Sequence, residues 1–284
     1  MPRRFRWLTP YLFLIPGGAW LFLFFVVPMF VMAAVSLQEG SLSTGFRVTW
    51  NFDVYPQVVS AWAPQFVRSL WYAGLVTLLT LFIGYPLAYT IAFRGGRAKN
   101  ILLLIVILPF FTSFLIRTLS WKLILADNGF LLSTLKEVGL LGPSFQVLST
   151  ATAVIGGLTY NFLPFMVLPL YVALEKMDPR LIEAGSDLYG NRLQTFLRVT
   201  LPLSMPGVFA GSLLVFIPAV GDFINAEVLG SPSTTMIGNV IQRLFIENNE
   251  YPDAAALGFV LMAIVLVLVA IYARAVGSDA LTQG

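Results

Sequence analysis

Six stretches of this chain run for 17 residues or more without Asp, Glu, Lys or Arg. They lie between Arg6 and Glu39, Arg68 and Arg94, Lys99 and Arg117, Glu137 and Glu175, Arg198 and Asp222, and Asp253 and Arg274. A helix that crosses a bilayer needs about 20 mostly apolar residues. The pattern therefore predicts spans near 11–36, 69–93, 100–120, 149–174, 205–227 and 254–273. The first is too long and too bulky for a cleaved signal sequence and reads as an uncleaved anchor. Continuous apolar runs, rather than short alternating strands, argue against a membrane barrel. Two intervening segments have structure of their own. Residues 37–67, with Trp50, Trp62 and Pro64, are long enough for a small ordered cap. Phe130, Leu131, Leu135 and Val138 are spaced for a short amphipathic helix at the interface.

Composition agrees with this reading. Of 284 residues, 58% are hydrophobic and 11% charged, and the mean hydropathy is +0.84; soluble domains are about 25% charged. Without cysteine or histidine there are no thiolate or imidazole metal sites, disulfides or histidine-based triads. A net charge of +3 leaves no footprint for nucleic acid. The basic residues also orient the chain. Eleven fall in the segments that hold both termini and the 94–99 and 175–204 loops, against six on the other side, so the termini are expected in the cytoplasm. Acidic residues divide the other way, five inside and nine outside. There is no internal repeat, and residues 1–284 read as one membrane domain.

Prolines mark the central spans: Pro86, Pro109, Pro164, Pro169 and Pro218. Each removes a backbone donor and kinks a helix, and the freed carbonyl needs a neighbour or a wet cavity. Kinked helices around a cavity fit a transporter; prolines are also simply commoner in membrane helices. Asn161 falls mid-span, and Asp222, Asn225 and Glu227 cluster at the outer end of the fifth span. Such groups line a pathway suited to a cationic solute, or else they face water or pair with Arg117 or Lys122. Trp121, Tyr160 and Phe162 offer aromatic faces for an ammonium group, though ordinary packing explains each as well.

The 175–204 loop opens with Asp178-Pro179, an N-cap followed by a favoured first helical residue. Leu181, Ile182, Ala184, Gly185, Leu188 and Tyr189 then recur at helical spacing, and Gly190-Asn191 can end that helix with a left-handed turn. A second run, Leu193, Phe196, Leu197 and Leu201, is expected to stop at Pro202. Within this loop Glu183-Ala184-Gly185, Asp187-Leu188-Tyr189-Gly190 and Val199-Thr200-Leu201-Pro202 resemble the EAA loop of ABC importer permeases. The Glu-to-Pro spacing agrees without insertion. Gly185 replaces the second alanine, and Tyr189 takes the usual glycine position with Gly190 one step later. Residues 107–121, 162–171 and 216–223, with Leu229-Gly230 and Met236-Ile237-Gly238, resemble spermidine/putrescine permeases, so that the likeness covers roughly 65–275.

The resemblance implies an all-α polytopic membrane protein with six transmembrane helices, of the type I ABC importer permease fold, in the bacterial cytoplasmic membrane. It implies no catalysis and no cofactor on this chain. ATP and Mg would be bound by two ATP-binding cassette subunits that press on the loop through Glu183, Ala184, Gly185, Asp187, Gly190, Leu201 and Pro202. It also implies a second permease, most simply a homologous heterodimer partner, and an extracytoplasmic solute-binding protein. Asp222, Glu227, Asn161, Tyr160 and Trp121 would shape the solute path. Permeases for ferric iron, phosphonates or opines share parts of the pattern. On one point the residues speak for themselves: a phosphate-binding P-loop needs a Gly-Lys pair, and the four lysines follow Ala98, Trp121, Leu135 and Glu175. Energy must then come from a partner or, in a rival reading, from an ion gradient. A gradient-driven carrier calls for central paired carboxylates, whereas the deepest acids here lie near span ends. A membrane-embedded enzyme would have only scattered carboxylates for acid/base work.

Overall fold

The computed structural model describes residues 9–142 and 144–281. The expected inner residues Arg3, Arg4 and Arg6, and the side chain of Asp279, lie outside what is described. Among the described residues, five helices are long and apolar enough to cross a membrane, or six if a bent pair between the second and third of them counts as one span. They are α1 (Phe13–Ser36), α2 (Val54–Arg94), α6 (Ala151–Glu175), α8 (Arg192–Val220) and a last helix α11, whose apolar stretch is Tyr251–Arg274. Between them lie the strands β1 (Gln38–Ser41) and β2 (Gly45–Val48), and the shorter helices α3 (Lys99–Ile107), α4 (Phe114–Ile124), α5 (Phe130–Glu137), α7 (Pro179–Tyr189), α9 (Ile224–Leu229) and α10 (Ile237–Gln242).

The third expected span is not a straight helix. Residues Gly96–Phe111 and Phe114–Ile124 meet at 93°. After α3 a tight 3-10 turn, Leu108–Phe111, contains Pro109, and Thr112 and Ser113 are extended. Because the backbone leaves the helix at 112–113, the carbonyls of this last turn have no amide one turn on and need other partners in a membrane. The Pro109 carbonyl accepts from the Thr112 amide at 3.2 Å, from Thr112 Oγ1 at 2.7 Å and from Arg117 Nη1 at 2.8 Å. The break is thus closed by its own side chains.

The fifth expected span also moves. It begins at Arg192, runs through Pro202 and ends at Val220, so Pro202 does not stop a separate short helix. Residues Phe196–Thr200 form one widened π turn. That turn relieves the clash between a proline ring and the carbonyl one turn back, which is why the helix continues. Gly221–Phe223 then leave the helix, and Asn225 and Glu227 lie on the separate α9.

The chain groups into two compact units, residues 1–62 with 241–262, and residues 63–240 with 263–284. In the first, the segment expected to form a cap contains the antiparallel hairpin β1–β2, paired from Gln38↔Val48 to Ser41↔Gly45. Ser36 Oγ and Tyr55 Oη lie 2.8 Å apart, and the Tyr251 ring contacts those of Phe46 and Phe245. In the second unit the core is α6 against α8. Val154, Leu158, Phe162, Met166, Leu170 and Leu174 form a buried stripe at every fourth residue of α6. Small residues on α8 let the backbones close: a Cβ at Gly207 would lie 2.8 Å from Pro169 O, and one at Gly211 would lie 3.2 Å from Met166 O. Tyr85 Oη on α2 lies 2.7 Å from Ser204 Oγ on α8. The short amphipathic helix is present as α5, but its buried residue is Leu132; Phe130 and Val138 are exposed.

Candidate functional site

Within the second unit, the broken α3–α4 segment, α6 and α8 line a half-open cavity of about 580 Å³. Its faces are mainly aromatic: Phe110 and Phe114 flank the break, and Phe162 and Phe165 come from α6. The Phe110 and Phe165 rings meet edge to face at 4.9 Å. Arg117 is its one charged lining residue. The guanidinium carbon lies 5.3 Å from the centre of the Phe110 ring and 5.6 Å from that of Phe114, an arrangement that stabilises a cation away from water. With Nη1 bound to Pro109, its Nε has no partner.

Asn161 is the other polar landmark. It lines the cavity, is 1% exposed and belongs to a buried chain of amides. Its Nδ2 donates to Asn225 Oδ1 at 2.9 Å and to Thr118 Oγ1 at 3.2 Å. Asn225 Nδ2 donates to both carboxylate oxygens of Asp222 at 3.2 Å, and the Asn225 amide donates to Asp222 Oδ1 at 2.8 Å. The chain ties α4 and α6 to the break after α8. Asn161 Oδ1 is the one amide atom of the chain left without a partner.

The five residues expected along a pathway are therefore dispersed. Asn161 lines the cavity; Asp222 lies behind it and pairs with neither Arg117 nor Lys122 among the described residues. Glu227 is held by Asn239, whose Nδ2 donates to Glu227 Oε2 at 3.1 Å and to Phe223 O at 2.8 Å. Trp121 and Tyr160 pack edge to face at 5.2 Å and are not among the cavity residues. Arg117, Phe110, Phe114, Phe165 and Thr118 complete the site. Their proximity depends on the break at 112–113, for which helical spacing has no signal.

In the loop between α6 and α8, Asp178 caps α7 by accepting from the Arg180 amide at 2.9 Å. Gly190 ends the helix with φ +61°, as its sequence position predicts. Glu183, Ala184 and Asp187 are exposed. Gly185 is buried, and a Cβ there would stand 3.0 Å from methyl carbons of both Thr195 and Val199, so the glycine lets α7 lie close to the start of α8. Leu201 and Pro202 lie in the first turn after the π segment. Leu181, Leu188, Leu193 and Leu197 are exposed apolar residues around this loop.

Residues 81–277 match the family described as the binding-protein-dependent transport system inner membrane component. The chain belongs to this family. It is a multi-pass inner membrane transport component and not an enzyme. The chain is 39% identical to the spermidine/putrescine transport system permease protein PotB of Haemophilus influenzae, over 90% of both chains. It is 35% identical to PotB of Escherichia coli K12, over 90% of this chain and 94% of that one. A crystal structure of a bacterial ABC transporter involved in alginate import superposes with a TM-score of 0.71 over 95% of each chain at 20% identity, so this permease has the ABC importer fold. Chemically, its cavity offers aromatic faces and one guanidinium, with the Asn161 amide buried at its wall.

Proposed function

We propose that this permease imports polyamines such as spermidine or putrescine as one membrane subunit of an ATP-driven ABC importer. The observation that carries the reading is the 39% identity over 90% of the chain to a spermidine/putrescine permease. An extracytoplasmic binding protein delivers the solute, and a second, homologous permease completes the pathway. Two cassette ATPases bind ATP and Mg, because this chain contains no Gly-Lys pair. Both termini and the α7 loop face those ATPases. The exposed Glu183 and Asp187, set on a helix fixed by the Asp178 cap and Gly190, receive their stroke.

A second reading, import of an oxyanion, draws on Arg117 as the cavity's one charged lining group. It also draws on 32% identity to the molybdenum permease ModB of Azotobacter vinelandii, over 70% of this chain. Lower identity and coverage rank it second. The test is ATPase stimulation of the reconstituted complex by its binding protein loaded in turn with spermidine, putrescine, ferric iron, a phosphonate, an amino acid or molybdate. Stimulation by a polyamine is expected; stimulation by a non-polyamine alone refutes the solute assignment.

A further inference from the structure

A second cavity, of about 240 Å³, lies in the same unit between the end of α2, α7 and the start of α8. Two guanidiniums line it, Arg94 from the last residue of α2 and Arg192 from the first of α8, and no carboxylate does. Both arginines are exposed, and neither makes a hydrogen bond, an ion pair or a ring contact among the described residues. Lys99, close by in the chain, is instead neutralised by Glu175 at 2.6 Å. Hydroxyls complete the lining. Those of Ser186 and Thr195 donate to the carbonyls of Ile182 and Asn191, at 2.9 and 3.1 Å. Those of Tyr89 and Thr200 have no hydrogen-bond partner among the described residues. The Tyr89 ring is held beside Phe93 and Phe196, with ring centres 4.8 and 6.5 Å away. Two like charges around one small cavity repel, and no described group of this chain offsets them.

We propose that this cavity binds a phosphate group, held between Arg94 and Arg192 with the free hydroxyls of Tyr89 and Thr200 as further donors. The site goes beyond solute import, because a polyamine is a cation and is repelled here. An arginine fork meets an oxyanion through two parallel N–H···O bonds. A carboxylate offers two oxygens and one charge to such a site. A phosphate group offers more oxygens and up to two charges, which matches two forks and two hydroxyls better. The same chemistry occurs in an anionic phospholipid headgroup and in free phosphate. Basic pockets between the ends of membrane helices take anionic headgroups, and Arg94 and Arg192 each stand at the end of a helix long enough to span. Ser186 of α7 forms the third side of the cavity. A bound phosphate group therefore offsets the repulsion between the two arginines and ties α7 to the ends of α2 and α8.

The test uses the assembled permease–ATPase complex, delipidated in a maltoside detergent that carries no phosphate, with the ATPase sites filled by a non-hydrolysable ATP analogue. One arm measures equilibrium binding of radiolabelled inorganic phosphate. The other titrates phosphatidylglycerol and counts the molecules retained by native mass spectrometry. Saturable binding is expected in at least one arm. Arg94→Gln/Arg192→Gln should weaken it about tenfold or more, since charge-assisted hydrogen bonds are lost. Arg97→Gln removes an equal exposed charge outside the cavity and should change it less than about twofold. Binding in the first arm alone makes free phosphate the ligand, and binding in the second alone makes it the lipid headgroup. No saturable binding in either arm, an equal loss in Arg97→Gln, or equal competition by acetate overturns the proposal. Should the double variant not assemble, Arg94→Lys and Arg192→Lys each keep the charge and lose the fork, and unchanged binding in both overturns it as well. The readouts do not involve the solute. Their failure leaves the import reading standing, and a complex that imports no polyamine leaves this site standing.

Discussion

The closeness of α6 and α8 predicts a graded response to single methyl groups. A Cβ at Gly207 would stand 2.6 Å from Ala173 Cβ, 2.8 Å from Pro169 O and 3.2 Å from Leu170 Cα, and two of these three atoms are backbone. Neither helix can yield without parting from the other. At Gly211 the first contact is Met166 Sδ at 2.7 Å, the movable end of a flexible side chain, with backbone O and Cα at 3.2 and 3.3 Å. At Gly74, also in the second unit, no atom lies within 4 Å. Alanine in place of a helical glycine gains about 0.5–1 kcal/mol from chain entropy, and overpacking costs about 1–3 kcal/mol. Gly207→Ala should therefore lose roughly 0.5–2 kcal/mol net. Gly211→Ala should fall near zero to about 1 kcal/mol of loss as Met166 turns aside, and Gly74→Ala should gain about 0.5–1 kcal/mol. The assay is the thermal unfolding midpoint of the purified complex in nanodiscs, where order and sign matter more than absolute values. If Gly207→Ala is as stable as Gly74→Ala, the two helices do not approach as closely as the packing requires.

Other expectations follow from single contacts. Tyr85→Phe and Ser204→Ala each remove the 2.7 Å hydrogen bond between α2 and α8; a double-mutant cycle should give a coupling of about 0.6 kcal/mol, usual for such bonds in membranes, and additive losses would deny the bond. Gly190→Ala forces a side chain into the left-handed region at φ +61°, which costs about 1 kcal/mol; faster proteolysis at the end of α7, with Gly190→Asn milder, is the expected readout. Arg117→Leu should tighten spermidine binding several-fold, since it removes a charge from the cavity while Thr112 still satisfies Pro109 O. Unchanged or weaker spermidine binding would count against that role. Glu183→Ala should leave the subunit inserted and lower the ATPase stimulation by loaded binding protein; normal uptake would remove Glu183 from coupling.

What the sequence disclosed depended on whether the information was local. Apolar run lengths located five of the expected spans, because exclusion of charge over about 20 residues is a property of the run itself. The Asp178 cap and the Gly190 turn were equally legible, since each acts on a backbone group within two to four residues of itself. The third span is present only as a bent pair: the apolar run continues through 112–113, but the helix does not, and hydropathy is blind to a direction change of 93°. Pro202 erred in the opposite sense. The residue type predicts a stop, and a π turn four residues earlier removes the clash that would have caused one.

The polar residues of the site show why charge alone misplaces a pathway. Asp222 attracted attention as an acid near a span end, yet its oxygens are used within its own turn of chain, and what reaches the cavity is an amide two partners away. Sequence distance hides such a relay: Asp222 and Asn225 are three residues apart, but Asn161 is 64 residues from Asn225. Arg117 is misjudged for the complementary reason. As a charge at a span end it invites pairing with an acid, whereas the Pro109 carbonyl, free because the helix breaks after it, and two phenyl rings already hold it. Arg117 has its Nη1 on a backbone carbonyl and its charge against two rings, with Nε unpartnered, and both Asp222 oxygens are engaged by Asn225. The two charges can therefore lie in neighbouring elements unpaired.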